Sequence, residues 1–152
     1  MPNTNWAGLN GLQIGRYAEY YAKMEMASYG FEVYTTEVDD HGIDFIIKRP
    51  KTTKFYEIQV KSIRDYGYVF LPKSSWEVNQ TNLFLILLIF KEGKLPDVYL
   101  IPADAWKTPN ELFKDKNYEG LKSEPEYGLN LSLKNQPLLE PYRIENIQLR
   151  VV

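Results

Sequence analysis

Three polar residues have types and a spacing that suit phosphate chemistry. Asp44 follows Gly42 and Ile43, and Gln59 and Lys61 follow a short stretch later. Carboxylate and amide oxygens are ligands that Mg²⁺ accepts, and a lysine beside the ion could orient a water or brace a phosphate. Phosphodiester hydrolysis needs a directed water, neutralised phosphate charge and help for the leaving oxygen. A site built from these three residues would have the groups that metal-assisted phosphodiester hydrolysis needs.

Two predicted strands, 43–48 and 55–63, must bring these residues together. Apolar residues alternate along the first strand, and the polar connection 51–54 predicts a hairpin. Side chains of a strand alternate between its faces, so the second strand carries an apolar face and a polar face. The polar face consists of Glu57, Gln59 and Lys61. Adjacent strands lie ~4.8 Å apart, so a carboxylate early in the first strand is expected beside this polar face.

The remaining pattern predicts an α/β (α+β) fold in a single domain, 1–152. A helix is predicted over 9–29, ending at Gly30, and a long apolar run at 83–90 reads as a strand buried on both faces. Residues 107–152 are expected to add peripheral loops, short helices, a strand near 129–133, or an oligomerisation segment, outside a core of about 9–106. Further strands are predicted at 31–38, 68–71, 97–101 and 147–152, with a helical turn at 103–106.

The composition excludes several kinds of site and of protein but does not indicate a particular function. The chain has no cysteine, which excludes disulfides, thiol chemistry and cysteine-based zinc sites. The eight-residue apolar run is too short for a membrane helix, which needs ~20 residues, and the N-terminus lacks a signal-peptide pattern. A net charge of −2 still permits a local basic face for nucleic acid. A cytoplasmic, soluble protein is expected.

The two strands resemble a known pattern. The run Gly42-Ile43-Asp44-Phe45, followed by Ile58-Gln59-Val60-Lys61, is similar to the PD-(D/E)xK nuclease superfamily, and most to its branch that ends in Gln-x-Lys. That branch includes small bacterial nuclease-like domains and intron-encoded homing endonucleases. The resemblance covers roughly 9–101 and implies a restriction-endonuclease-like αβββαβ core, a central mixed sheet flanked by helices.

The resemblance also implies roles. Asp44 and Gln59 would hold the metal, expected to be Mg²⁺ with Mn²⁺ as a substitute, and Lys61 would be catalytic. Gln59 departs from the main pattern because a carboxamide donates an oxygen but carries no charge. The missing negative charge is expected from Glu19, at the acidic position of the first helix, ahead of Glu57.

Several of these residues also have ordinary structural explanations. Asp44 and Lys61 could form a cross-strand salt bridge, and Glu19 shares a polar helix face with Arg16 and Lys23. His41, the single histidine, stands in a predicted turn where its usual role is turn formation.

The leading functional hypothesis is a Mg-dependent endonuclease acting on double-stranded DNA, site-specific in the manner of homing or restriction enzymes. Cutting both strands would favour a dimer or tetramer, because one centre cuts one strand. One alternative is a catalytically silent nucleic-acid-binding module with the same fold. Another is a protein-interaction or immunity-type partner, which would show no DNA affinity at moderate salt.

Overall fold

A computed structural model describes residues 1–37 and 42–146. Helix α1 spans Gly11–Ser28, and a short helix α2 spans Gln136–Leu139. The strands are β1 (Glu32–Thr35), β2 (Phe45–Lys48), β3 (Phe55–Arg64), β4 (Gly67–Pro72), β5 (Leu83–Phe90), β6 (Asp97–Pro102), β7 (Phe113–Lys116) and β8 (Glu126–Leu131).

The central sheet is mixed and has five strands in the order β1-β2-β3-β5-β6. Strands β3 and β5 run parallel, and all other neighbours in this sheet run antiparallel. A second, antiparallel sheet has the order β4-β8-β7. The predicted class, a mixed sheet flanked by helices, is confirmed.

Helix α1 begins at a capping box, in which Asn10 and Gln13 exchange side-chain and backbone hydrogen bonds. It ends before Gly30, whose φ of 91° favours glycine. Its buried residues recur every four positions, so they form one face of the helix. This face packs with the even-numbered residues of β3 and β5. The packed residues are Ile14, Ala18, Ala22 and Met26 on the helix and Tyr56, Ile58, Phe84 and Ile86 on the sheet.

Strand β5 separates two hydrophobic clusters and is buried along its whole length, as its unbroken apolar run predicts. Its even-numbered residues face α1, whereas its odd-numbered residues face the second sheet. The chain beyond residue 107 contributes strongly to this second cluster. Its buried residues there are Leu112, Phe113, Leu129, Leu131 and Leu139. The C-terminal part therefore completes the second core as well as forming loops.

The connection between β3 and β5 differs from the αβββαβ order that the resemblance implied. It contains β4 and a 3₁₀ turn, Lys73–Ser75, where that order places an α-helix. The physical reason is local, because Val69 and Leu71 alternate with exposed residues and Pro72 ends the run. Such a segment suits a strand, and β8 supplies its partner.

Other boundaries differ by a few residues from the prediction. Asp44 precedes β2 instead of lying within it, and β7 was not predicted. The predicted strand 147–152, together with Val38 and His41, lies outside the described residues. Within those residues, no helix combines the length and apolar character needed to span a membrane.

Candidate active site

Asp44 is anchored at the start of β2 by two backbone contacts with β3. Its N–H donates to the Ile58 carbonyl at 2.8 Å, and its Oδ2 accepts from the Val60 N–H at 2.6 Å. Phe45 pairs with Ile58 in the antiparallel register, so Asp44 lies opposite Gln59. The carboxylate is therefore fixed beside β3, as the sequence predicted.

Gln59 is a buried polar residue, with 7% of its surface exposed. Its Oε1 makes no hydrogen bond within the described part of the chain. A buried acceptor without a partner costs about 1–3 kcal/mol, so such an atom is usually kept for a purpose or bound by something else. A cation is one species that would satisfy it.

Gly42 makes room for the Gln59 carboxamide. A Cβ on Gly42 would lie 2.5 Å from Gln59 Nε2, and the backbone φ of 75° also favours glycine. In the Gly-Ile-Asp run, Gly42 leaves space for the Gln59 side chain. Asp44, two residues later, lies opposite Gln59 on the neighbouring strand.

Lys61 is half-buried and lies two residues beyond Gln59 on the same face of β3. Its Nζ lies 5.7 Å from the centre of the Phe70 ring of β4. The ammonium group is thus directed by an aromatic side chain of the second sheet, which sequence reasoning did not assign to the site.

Glu19 approaches from the other face of the sheet, where α1 packs. It forms an intrahelical ion pair with Lys23 at 3.4 Å. Lys23 Nζ also lies 5.9 Å from the ring centre of Phe45, the residue after Asp44. Glu19 is therefore near the end of the sheet that holds Asp44, but its carboxylate is engaged in the pair expected of a solvated helix face.

A cavity of about 280 Å³ opens beside Gln59. Glu57 also lines it, and its carboxylate accepts a hydrogen bond from Gln80 Nε2. Trp76 lies in the wall, and its indole N–H has no hydrogen-bond partner among the described residues. The lining is mixed, because Ser74, Ser75 and Glu77 contribute polar groups and Ile43 and Leu83 apolar ones.

The second sheet holds one wall of this cavity in place. Lys73 lines the cavity and pairs with Asp115 of β7, and its Nζ contacts Asn117 Oδ1 at 2.7 Å. The same ammonium group lies 4.6 Å from the ring centre of Tyr127. Residues far along the chain thus position the site, and no local sequence signal indicates this.

The structure therefore brings Asp44, Gln59 and Lys61 together at the β2–β3 hairpin, with Glu57 on the cavity side and Glu19 beyond the sheet. Gly42, Phe70 and Trp76 were missed as site residues. Glycine in a Gly-Ile-Asp run was a usable signal, whereas the two aromatics join the site only through tertiary contacts.

The donor set fits a Mg²⁺ ion. Asp44 supplies a fixed carboxylate opposite Gln59, and Gln59 supplies a buried oxygen with no hydrogen-bond partner in the part of the chain that the structure describes. Magnesium is usually bound through one or two carboxylates together with substrate phosphate and keeps several waters, so Asp44 could hold it with Gln59 and the substrate. No group of three or more Asp, Glu or His side chains suited to a metal occurs within residues 1–37 and 42–146.

Comparisons with known proteins detect a shared fold. No family model matches the chain, and no curated protein matches it. Among solved structures, the Holliday junction resolvase Hjc of Archaeoglobus fulgidus is similar at 13% identity, with a TM-score of 0.54 over 88% of this chain and 94% of the resolvase. A bacterial homing endonuclease is similar at 18% identity, with a TM-score of 0.59 over 94% of both chains. At these identities the likeness is one of fold, and the chain shares the architecture of two nucleases.

Proposed function

We propose that this protein is a Mg²⁺-dependent DNA endonuclease that hydrolyses phosphodiester bonds. The observation that carries the proposal is the β2–β3 hairpin, which places Asp44 opposite Gln59 and Lys61 two residues further along. Gln59 Oε1 is buried and has no hydrogen-bond partner among the described residues. The fold is shared with a resolvase and a homing endonuclease, which supports nuclease chemistry.

Asp44 and Gln59 would hold the ion. A bound ion would neutralise charge on the phosphate and make a water molecule more acidic. Lys61 extends past them on the same strand face, where its ammonium group would hold a phosphate oxygen and orient the attacking water. Glu19 would add negative charge from the α1 side. The cavity beside Gln59 gives solvent and substrate a route to these groups.

Several finer features belong to this proposal. The chain is taken as one nuclease domain, 1–152, and the part that resembles the Gln-x-Lys branch lies within about 9–106. Double-stranded DNA is the main substrate, cleaved at specific sites in the manner of a homing or restriction enzyme. Paired cuts would come from a homodimer or tetramer, since one centre cuts one strand. Mn²⁺ would substitute for Mg²⁺, and the cytoplasm is the expected location.

One observation favours a second candidate function. Gln59 is neutral, and no cluster of three acidic or histidine ligands stands among the described residues. Such a site would hold a metal weakly, so the same fold could serve as a catalytically silent module that binds nucleic acid. Metal-dependent nicking distinguishes the two functions.

The test is cleavage of supercoiled plasmid in Mg²⁺, in Mn²⁺ and in chelator, with wild type beside Asp44→Ala and Lys61→Ala. We expect nicking only with metal and a loss of at least about 100-fold in both variants, the scale of a lost electrostatic contact in a hydrolase. Lys61→Arg should not restore activity, because a guanidinium differs in shape and is always charged.

The matched control is Lys54→Ala, an exposed lysine on the β2–β3 turn. Its nicking rate should equal that of the wild type. DNA binding without nicking in either metal, on plasmid and on genomic DNA fragments, would favour the silent module. Metal-dependent nicking that survives in Asp44→Ala would contradict the assigned site.

A further inference from the structure

We propose that the outer face of the second sheet binds unpaired bases of single-stranded DNA beside the cleavage site, with Phe70 as the stacking residue. This inference rests on the proposed function, because it concerns the substrate of the same site. It adds a substrate class, DNA with an unpaired segment, to the duplex already considered.

The face carries exposed aromatic side chains. Along β4, Val69 and Leu71 point into the second core, whereas Tyr68 and Phe70 point outward. Phe70 is 52% exposed. No aromatic ring packs on Phe70 in the described part of the chain. Its ring therefore has room for a base.

Tyr68 differs from Phe70 because it is already fixed. A Cβ on Gly128 would lie 1.9 Å from the Tyr68 hydroxyl oxygen, so the tyrosine lies directly across β8. Its hydroxyl donates to the Glu126 carboxylate, and the pKa of Tyr68 is raised by burial and, to a lesser degree, by this bond. Tyr68 thus packs flat across the outer face of the sheet, and Phe70 is the aromatic side chain that remains available to stack on a base.

Lysines flank these two rings. Lys61 Nζ lies 5.7 Å from the Phe70 ring centre, and Lys116 Nζ lies 4.1 Å from the Tyr68 ring centre. Lys114 stands on the same outer face of β7, because Lys114 and Lys116 are alternate residues of that strand. A row of cations interleaved with aromatics is the arrangement that binds single strands without sequence preference.

A cleft of about 280 Å³ is lined by Phe70, Pro72 and Pro125. Glu124 and Glu126 also line it. These carboxylates would repel a phosphate but can accept hydrogen bonds from amino groups on a base edge. The charges therefore assign the base to the cleft and the phosphate to Lys61 on the other side of the Phe70 ring.

A stacked base in this position must be unpaired, because bases within a duplex are covered by their neighbours on both faces. Since Lys61 contacts Phe70 and is also a proposed catalytic residue, the base on Phe70 would belong to a nucleotide at or next to the cleaved bond. This links the unpaired segment to the site of cutting.

The experiment measures binding in chelator, so that no cleavage occurs. A fluorescein-labelled single-stranded oligonucleotide and the corresponding duplex are titrated with wild type, Phe70→Ala and Phe70→Tyr. We expect Phe70→Ala to weaken single-strand binding by about 5- to 140-fold, the range for loss of one base stack. Phe70→Tyr should stay within about threefold of wild type, and duplex binding should not change.

The control is Phe55→Ala, because Phe55 is 45% exposed and matched in type. It lies six residues before Lys61 on β3, about 20 Å along the strand. Equal losses for single strand and duplex, equal losses in Phe55→Ala, or full binding by Phe70→Ala would overturn the inference. If the plasmid test shows no nicking but Phe70→Ala selectively loses single-strand binding, Phe70 is a base-stacking residue of a silent binding module, and the proposed enzymatic function fails.

Discussion

Gln59 is a buried, neutral side chain, and its oxygen has no hydrogen-bond partner within the described residues. Position 59 could be predicted from its alternation with Ile58 and Val60 and from its distance to Asp44 along a hairpin. Its unsatisfied oxygen could not, because hydrogen-bond satisfaction depends on tertiary neighbours such as Gly42. In the proposed site, a bound cation would be the partner of this oxygen.

Substitutions at residue 59 should therefore report on the cation through stability. Gln59→Glu places a carboxylate in a buried position, so we expect a lower Tm than wild type in chelator. Added Mg²⁺ should then raise the Tm of Gln59→Glu more than that of wild type, since a ligand that binds only the folded state stabilises it.

The paired variant is Gln59→Leu, which removes the unsatisfied oxygen. We expect its Tm in chelator to match or exceed that of wild type and to show no response to Mg²⁺. Thermal unfolding followed by circular dichroism, with and without Mg²⁺, measures both effects. Identical Mg²⁺ responses in Gln59→Glu and Gln59→Leu would show that residue 59 does not face a cation.

Among the helices and strands, those with a strong local sequence pattern were predicted. Those whose structure or sheet assignment depends on pairing with a distant strand were not. The bounds of β5 follow from its apolar run, and α1 follows from its helical spacing. Strand β7 has three charged residues among four, so only its pairing with β8 makes it a strand. The assignment of β4 to a second sheet was equally hidden, because strand neighbours are set by tertiary contacts.

The C-terminal turns are fixed to β6 by Arg143. Its Nε donates to Glu140 at 2.9 Å, its Nη1 donates to Asp97 at 3.1 Å, and its guanidinium lies 5.1 Å from the Tyr99 ring centre. The hydrogen bond from Arg143 is the main reason that the pKa of Glu140 lies below its ordinary value of 4.5.

This arrangement predicts a pH-dependent contribution to stability. A carboxyl group with a lowered folded-state pKa stabilises the fold above its unfolded pKa, and this stabilisation is lost as pH falls through the folded value. We expect Arg143→Met to lower the Tm by about 2–4 °C at pH 7, equivalent to about 1 kcal/mol. The deficit should shrink as the pH falls below 4.5.

Thermal unfolding of wild type and Arg143→Met between neutral and acidic pH tests this prediction. Glu140→Gln is the matched variant, and it should show a similar deficit at pH 7 that also shrinks towards acidic pH. A deficit in Arg143→Met that is the same at every pH would mean that packing on Tyr99, and not charge, is what Arg143 provides.

At the scale of the whole molecule, two hydrophobic clusters share β5 as a common wall. One cluster secures α1 over the β2–β3 hairpin, and the other secures the second sheet beside the cavity. The residues that line the cavity thus come from distant parts of the chain, from Gly42 to Leu83, while Lys73 is held by Asp115. The fold class could be predicted from the strand patterns. The cavity wall that Lys73 forms could not, because it depends on contacts between segments far apart in the sequence.

The burial of β5 has a consequence for how the chain reaches its native state. Leu83–Phe90 has eight apolar residues with no charge and no proline, so before folding it is a segment prone to pair with other copies. Its parallel partner β3 is separated from it by β4 and the 3₁₀ turn, so the protecting contact is non-local and slow to form. We expect the refolding yield from urea to fall steeply as protein concentration rises, measured as soluble protein after dilution. Asn82 and Lys91, the polar residues at either end of the run, would then act as gatekeepers that limit aggregation during synthesis.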